Sequence, residues 1–281
     1  MNVALIGSGT MGAGIAQVLC SSETVRKIIV VSRSDEKGEA VISSCNKYLS
    51  KLKRKSIITG VQLDHGLSKI SFTTSIQDVE GADLIIEAVA ENYAIKCEIF
   101  KKIANLVTEK SIVATNTSSL SITDFASLLP YPERVVGLHF FNPAPVMELV
   151  EVVVGHVTDR SIVDELVEFT TKLGKSPVVV NEGPGFVVNR MLIPMINEAV
   201  SILAEGVANE DDIDKAMKLG AHHPMGPLKL ADLIGNDVVL SIMETLYSET
   251  GDPKYRAHPL LRKMVRADHL GRKTKKGFFG Y

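Results

Sequence analysis

The sequence predicts two parts of different fold class, and three observations indicate them. An apolar run over 2–6 ends in glycines and leads into a helical apolar pattern, which is typical of a strand–turn–helix unit. Strand and helix patterns then alternate as far as residue 183. Only helical patterns and turn signals follow over 184–281. The predicted fold class is therefore α/β, with a Rossmann-type doubly wound sheet domain over 1–183 and an all-α C-terminal domain over 184–281.

The first turn has the spacing of a dinucleotide-binding loop. Gly7, Gly9 and Gly12 form a G-x-G-x-x-G motif between the first strand and the first helix. The first glycine allows a tight turn, the second lets the backbone approach a pyrophosphate, and the third lets the helix pack on the strand. The helix N-terminus, at Thr10 and Met11, directs N–H groups at phosphates. We predict that these five residues bind a dinucleotide.

Short β-branched runs alternate with longer amphipathic patterns up to residue 183. The predicted strands lie at 27–31, 69–72, 83–89, 111–115, 134–140, 148–154 and 176–180. The predicted helices lie at 35–55, 93–106, 122–128 and 159–173. Gly60 and Gly66 are predicted to mark loops. This alternation predicts a parallel sheet, with antiparallel pairing possible toward its end.

The last hundred or so residues contain four predicted helices, at 187–205, 209–220, 228–250 and 260–267. The first of them is apolar all round, which favours burial. Asn209 is a good N-cap, and acidic residues follow it in the first helical turn. A region with so apolar a first helix is expected to bury surface against a second copy, so we predict a homodimer.

Composition excludes several classes of protein. A formal net charge of −2 offers no electrostatic attraction to nucleic acid or to an anionic membrane surface. No apolar window is long enough to span a membrane, and because the first predicted strand begins at residue 2 we expect no targeting peptide in this sequence. Cys20, Cys45 and Cys97 are isolated, which suits a reducing compartment. We therefore expect a cytoplasmic protein with no nucleic-acid or membrane partner.

Polar residues gather where predicted strands end. The Asn116–Ser119 stretch follows one strand, His139 ends a later strand, and Glu151 lies on the strand after that. Open α/β sheets bind ligands at the carboxyl ends of their strands. A histidine with a neighbouring carboxylate is a general base whose tautomer its partner holds, although a single histidine at a strand end can also be a satisfied core residue. The expected cofactor site at the same edge favours the catalytic interpretation.

Several long motifs resemble the 3-hydroxyacyl-CoA dehydrogenase family, and they extend over the whole chain. They are NTSSL at 116–120, VVGLHFFNPAPVM at 135–147, PGFVVNR at 184–190, MKLG at 217–220, PMGP at 224–227, GRK at 271–273 and GFFGY at 277–281. The resemblance is strongest to short bacterial members. It implies interconversion of (S)-3-hydroxybutyryl-CoA and acetoacetyl-CoA, or another short-chain 3-hydroxyacyl-CoA, with a nicotinamide cofactor.

The resemblance also implies roles for individual residues. His139 is the general acid/base, Glu151 orients its imidazole, and Ser118 and Asn189 hydrogen-bond the reacting oxygen or the thioester carbonyl. Further positions match family contacts to the cofactor or to groups near it: Glu91, Lys96, Asn116, Asn142 and Lys273. Purely structural roles stay open for three of them. Glu91 and Lys96 are also spaced to form a salt bridge at a helix start, and Asn142 is also placed to cap the turn before a proline.

A basic stretch over 47–55 has two interpretations. Most charged helix faces are simply solvated. In the family the corresponding segment lies over the CoA, so Lys51 and Lys55 are candidates for contact with its phosphates. His222 and His223 invite a metal hypothesis, but adjacent residues project in different directions and no further ligand has suitable spacing. No metal is expected.

The chain departs from the family at the end of the second strand. NAD-binding units usually carry Asp or Glu there, whereas this sequence has Ser32 followed by Arg33. A carboxylate would repel a 2′-phosphate, while arginine can pair with one and stack on adenine. We predict NADP as cofactor, with NAD as the alternative if Arg33 is merely solvated.

Two other functions remain open from the sequence. One is a non-catalytic binding or structural protein that keeps the fold, as crystallin-like relatives of the family do; the intact Ser118, His139, Glu151 and Asn189 argue against it. The other is a dehydrogenase of free 3-hydroxy acids, which would need no contacts between the basic 47–55 stretch and CoA.

Overall fold

The computed structural model describes residues 1–281, which form two compact units, Met1–Glu182 and Gly183–Tyr281. The first unit contains an eight-stranded sheet in the order β3-β2-β1-β4-β5-β6-β7-β8. Its strands are β1 Asn2–Ile6, β2 Lys27–Val31, β3 Ile70–Thr73, β4 Leu84–Glu87, β5 Ile112–Thr115, β6 Val135–Phe140, β7 Leu149–Val154 and β8 Ser176–Asn181. Neighbouring strands are parallel except β6 and β7, which are antiparallel. The antiparallel pair lies toward the end of the chain's sheet region, where the sequence left such pairing open.

Six helices accompany the sheet: α1 Thr10–Ser21, α2 Asp35–Arg54, α3 Gly60–Ser68, α4 Tyr93–Ile103, α5 Ile122–Ala126 and α6 Arg160–Lys172. Strands β4, β5 and β6 are buried along their full length, because they lie in the middle of the sheet. Aliphatic side chains from these strands and from α1, α2 and α6 form the core. This doubly wound arrangement matches the predicted fold class.

The prediction that Gly60 and Gly66 mark loops is wrong, because both lie in α3. Thr59 caps this helix: its hydroxyl accepts the Gln62 N–H (3.2 Å), and the Gln62 side chain accepts the Thr59 N–H (2.9 Å). This capping box starts the helix. A Cβ on Gly66 would lie 2.7 Å from the Cys20 carbonyl oxygen, so that glycine serves close packing and does not end the helix.

The second unit is helical, with α7 Val188–Ala204, α8 Glu210–Gly220, α9 Pro227–Ile234, α10 Asn236–Thr250 and α11 Pro259–Arg266. The single helix predicted over 228–250 is wrong, because Gly235 has φ +105° and separates α9 from α10. The first helix is not buried all round within the single chain, and its expected burial against a second copy stays a prediction. α7 buries Ile193 and Ile196, but Met191 is 72% exposed.

A buried aspartate organises the end of the second unit. Asp232 is 1% exposed and accepts the N–H groups of Phe278 and Phe279 at 2.9 Å each. A Cβ on Gly277 would lie 1.9 Å from an Asp232 carboxylate oxygen, which explains why the closing segment needs glycine at that position. None of the helices in either unit combines the length and the apolar character that crossing a bilayer requires.

Candidate active site

The glycine loop between β1 and α1 has two glycines that packing requires and one that it does not. Gly7 has φ +124°, and a Cβ on it would lie 2.4 Å from the Ala88 carbonyl oxygen. A Cβ on Gly12 would lie 2.0 Å from the Gly7 carbonyl oxygen. At Gly9 a Cβ would meet no protein atom within 4 Å. The protein's own packing therefore does not explain Gly9, whereas close approach of a pyrophosphate to the backbone does.

The N-terminus of α1 suits the same group. Gly9 is its N-cap and has no side chain to satisfy the first N–H groups, which include those of Thr10 and Met11. The twelve-residue helix also directs the positive end of its dipole to this turn. These residues fit a cofactor pyrophosphate, as predicted from their spacing.

The end of β2 is partly engaged in local structure. The hydroxyl of Ser32, which is 5% exposed, donates to the Ser34 carbonyl at 2.7 Å. The Ser34 hydroxyl accepts the Lys37 N–H at 3.4 Å and so caps α2. Arg33 between the two serines is exposed and forms no ion pair within the chain. Of the residues in this turn, Arg33 therefore has the most accessible donors.

His139 and Glu151 face each other on the antiparallel strands β6 and β7, where they are direct register partners. The His139 Nδ1 and Glu151 Oε2 atoms are 2.8 Å apart. The two residues are 5% and 1% exposed. Because Glu151 contacts Nδ1, a proton exchanged with a bound ligand would pass through Nε2 on the opposite side of the ring. The pair has the geometry of a general acid/base with its orienting carboxylate.

Two neighbours fix the strand end that carries this histidine. The Asn116 side-chain oxygen accepts the Phe140 N–H at 2.8 Å, and the Asn116 N–H donates to the Glu87 carbonyl at 2.7 Å. The Phe141 ring lies 4.4 Å from the imidazole, measured between centroids. Asn116 is thus tied to both β4 and β6, and its side chain positions the backbone beside His139.

A buried ion pair lies at the end of β4. Glu87 and Lys96 are both 0% exposed, and the Lys96 Nζ contacts the two Glu87 carboxylate oxygens at 2.8 and 2.9 Å. The same ammonium lies 3.3 Å from Glu91 Oε2. The salt bridge between Glu91 and Lys96, which the sequence left open, is therefore present. Glu87 is the closer of the two carboxylates to the Lys96 ammonium.

Glu91 connects this pair to the serine loop that follows β5. Its Oε1 accepts the Thr117 hydroxyl at 2.6 Å, the Ser118 N–H at 2.7 Å and the Ser118 hydroxyl at 3.1 Å. Burial alone would raise the pKa of the Glu91 carboxyl, but the Lys96 charge and the hydrogen bonds from Thr117 and Ser118 together lower it. This carboxylate is held in its charged form.

The other predicted residues lie in different surroundings. Asn142 lies at the start of the turn that follows β6, and Lys51 and Lys55 are exposed at the end of α2. In the second unit, Asn189 is buried in the first turn of α7, and Lys273 is ion-paired with Asp237. His222 and His223 follow α8, and no cluster of three or more metal-binding side chains occurs in the chain.

Sequence reasoning missed two side chains that support the site. In the sequence, Glu87 belongs to an apolar predicted strand. Its charge at the end of that buried strand is the one signal that could have identified it as a site residue. The Lys175 Nζ donates to the carbonyls of Ala144 and Met147 at 2.6 and 2.8 Å and so holds the turn after β6. Burial lowers the pKa of Lys175, against the opposing effect of Glu148.

Family models match both units of the chain. The NAD binding domain of 3-hydroxyacyl-CoA dehydrogenase matches residues 2–183, and the C-terminal domain of the same family matches residues 185–281. The chain belongs to the 3-hydroxyacyl-CoA dehydrogenase family. Its first unit is thus a domain for a nicotinamide cofactor.

Individual relatives match over nearly their full length. A 3-hydroxybutyryl-CoA dehydrogenase of Clostridioides difficile is 52% identical over 281 residues, which are 100% of this chain and 99% of the relative. The mitochondrial hydroxyacyl-coenzyme A dehydrogenase of Homo sapiens is 38% identical, with 100% of this chain and 91% of the relative covered. The crystal structure of the (S)-3-hydroxybutyryl-CoA dehydrogenase PaaH1 from Ralstonia eutropha has a TM-score of 0.95 and 44% identity, with coverage of 100% and 98%.

Proposed function

We propose that this protein interconverts (S)-3-hydroxybutyryl-CoA and acetoacetyl-CoA with a nicotinamide cofactor. The observation that carries the proposal is the buried His139–Glu151 pair, at 2.8 Å, in a chain of the 3-hydroxyacyl-CoA dehydrogenase family. The matches to the relatives named above cover at least 91% of each relative, and two of these relatives are named for the same four-carbon substrate. Family membership and a preserved acid/base pair together favour a working enzyme over a structural relative.

The chemistry assigns a proton to the protein and a hydride to the cofactor. The nicotinamide ring, when bound, supplies the hydride acceptor or donor for the substrate C3 carbon. In the oxidising direction His139 removes the proton of the 3-hydroxyl through Nε2, and in the reducing direction it returns that proton. Glu151 accepts the Nδ1–H at 2.8 Å, which fixes the tautomer and stabilises positive charge on the ring.

Two further residues are proposed to bind the reacting oxygen or the thioester carbonyl. Glu91 accepts both the N–H and the hydroxyl of Ser118, so the Ser118 oxygen has a fixed position, and donation to a substrate oxygen would replace the 3.1 Å hydroxyl contact to Glu91. Asn189 is buried in the first turn of α7. Fixed polar groups stabilise developing charge without the cost of reorganising solvent.

We propose NADP as the preferred cofactor, with NAD as the alternative. Support comes from the missing carboxylate at Ser32 and from the exposed, unpaired Arg33 guanidinium. The Ser32 hydroxyl already donates to the Ser34 carbonyl. The main support for NADP is therefore Arg33, which offers a charge-assisted contact to a 2′-phosphate. We propose further cofactor contacts for Glu91, Lys96, Asn116, Asn142 and Lys273, as the resemblance implies.

We propose that the CoA phosphates contact Lys51 and Lys55. The two residues are four apart at the end of α2 and so share one face of the helix, whereas Lys53 projects from the opposite face. K51A/K55A should raise the KM for acetoacetyl-CoA several-fold and leave kcat unchanged, while K53A serves as the matched control. An acetoacetyl thioester without the nucleotide should show no difference between these variants. Equal loss in K53A would exclude a specific contact.

The deciding experiment measures loss of reduced-cofactor absorbance when acetoacetyl-CoA is added. Rapid loss supports the dehydrogenase, and its absence favours a non-catalytic relative with the same fold. Free acetoacetate tested in parallel separates the third possibility, because a dehydrogenase of free 3-hydroxy acids gains nothing from CoA. Comparing NADH with NADPH in the same assay measures the cofactor preference.

We propose that the second unit forms a homodimer. Val187, Met191 and Leu219 are 47%, 72% and 68% exposed in the single chain, which is unusual for large apolar side chains of a helical unit. Sedimentation at micromolar concentration should give the mass of two chains, and a well-behaved monomer would contradict the proposal. The cytoplasmic location expected from the isolated cysteines stays a prediction.

A further inference from the structure

Glu87 is a buried carboxylate whose hydrogen-bonding capacity is filled by the protein itself. Its Oε1 accepts the Val89 N–H at 2.6 Å, its Oε2 accepts the Thr115 hydroxyl at 2.6 Å, and both oxygens contact the Lys96 ammonium. A buried pair of charges is costly unless its remaining donors and acceptors are satisfied. Glu87 meets that condition and is therefore a rigid counter-charge for Lys96.

Lys96 has little access to anything except carboxylates. Its side chain is 1% exposed, and its ammonium bridges the 0% exposed Glu87 and the 37% exposed side chain of Glu91. Of the two carboxylates, only Glu91 has enough exposure to turn toward solvent. The position of Lys96, fixed by Glu87, thus limits the orientation of Glu91.

Glu91 in turn sets the serine loop. One oxygen, Oε2, faces Lys96, and the other, Oε1, accepts three hydrogen bonds from Thr117 and Ser118. If the carboxylate rotated away from Lys96, Oε1 would leave those donors as well. The Ser118 hydroxyl would then lose the acceptor that defines its direction.

We propose that Glu87 and Lys96 are positioning residues that act on Ser118 through Glu91. This assignment rests on the proposed function only for its catalytic consequence, because the chain of contacts lies entirely within the protein. Lys96 orients the Glu91 carboxylate, in addition to the cofactor contact proposed for it above. Glu87, which no motif marks, is the fixed point of the arrangement.

The test uses the pair of neutral variants together. E87Q or K96M alone leaves a buried charge without its partner and should lower stability. E87Q/K96M removes both charges and should restore the melting temperature to near that of the parent. In this double variant kcat should stay about tenfold low at saturating cofactor and substrate, because Ser118 is misdirected.

A second measurement does not depend on activity. Hydrogen exchange of the Ser118 amide, which donates to Glu91, should accelerate about tenfold in E87Q/K96M. The Asn116 amide donates to the Glu87 main-chain carbonyl and is the matched control, so its exchange should not change. Unchanged exchange at Ser118, a parental kcat, or a loss confined to the KM for cofactor would overturn the assignment. An inactive parent with altered Ser118 exchange would reject the proposed function and leave the positioning intact.

Discussion

Two regions of the first unit, both at strand ends, hold polar groups in opposite ways. At β6 and β7, His139 and Glu151 are buried register partners whose contact is set by the sheet. At the end of β2, Arg33 is exposed and the Ser32 hydroxyl is engaged only with its own turn. The first region is positioned by long-range pairing and the second by local backbone. Substitution in the first should therefore disrupt the chemical step, while substitution in the second should change preference between cofactors.

Removal of the imidazole is the most severe test of this contrast. His139→Ala should lower kcat by about two orders of magnitude or more, since no other group at β6 can exchange the 3-hydroxyl proton. Steady-state kinetics with acetoacetyl-CoA measure the loss. His156→Ala is the matched control, because His156 is exposed in the same unit and outside the site. Near-parental turnover in the His139 variant would remove the acid/base assignment.

Glu151→Ala should approach the same loss, again about two orders of magnitude, because the imidazole loses its tautomer and orientation. CoA-ester binding should weaken far less than kcat. Unfolding measured in parallel separates this effect from general destabilisation, since a buried partner of His139 is being removed. A variant that is folded, stable and fully active would mean that the 2.8 Å contact has only a structural role.

The cofactor preference tests the exposed region. Ser32→Asp with Arg33→Ile should raise the ratio of kcat/KM for NADH to kcat/KM for NADPH by about one to two decades. The reason is that a charge-assisted contact contributes about 1.5–3 kcal/mol. The value of kcat at saturating cofactor should hardly change. Arg33→Lys alone keeps the charge but loses the planar fork, so an intermediate preference is expected. If the parent enzyme already prefers NADH, Arg33 is only a solvated side chain.

The smallest expected effect concerns stability against pH. The folded-state pKa of Glu91 lies below its ordinary value of 4.5, so its charged form stabilises the fold above that pH. This contribution is lost as the pH falls through the lowered folded pKa. Glu91→Gln should therefore cost about 1 kcal/mol at neutral pH, and the difference should shrink in acid. Denaturant unfolding across acidic pH measures this trend, and a constant difference would assign the cost to packing.

The sequence alone predicts those features of the fold that depend on residues close together in the chain. The spacing of Gly7, Gly9 and Gly12 and the strand–helix alternation predict the sheet domain correctly, because turn geometry and periodicity are local properties. The missed helix α3 was also locally encoded, in the capping box of Thr59 and Gln62, which two glycines obscured. The break at Gly235 was less visible, because the apolar pattern continues across it.

Only the tertiary structure decided which charges are buried and which partners they have. Glu87 and Lys96 are nine residues apart in the chain, and nothing in their spacing distinguishes a solvated pair from the buried pair that the structure contains. Likewise, His139 and Glu151 were candidates from sequence, but their contact depends on antiparallel register between β6 and β7. Composition and spacing determined which chemical groups are available. Strand pairing determined their distances, since it joins residues that local sequence preferences cannot bring together.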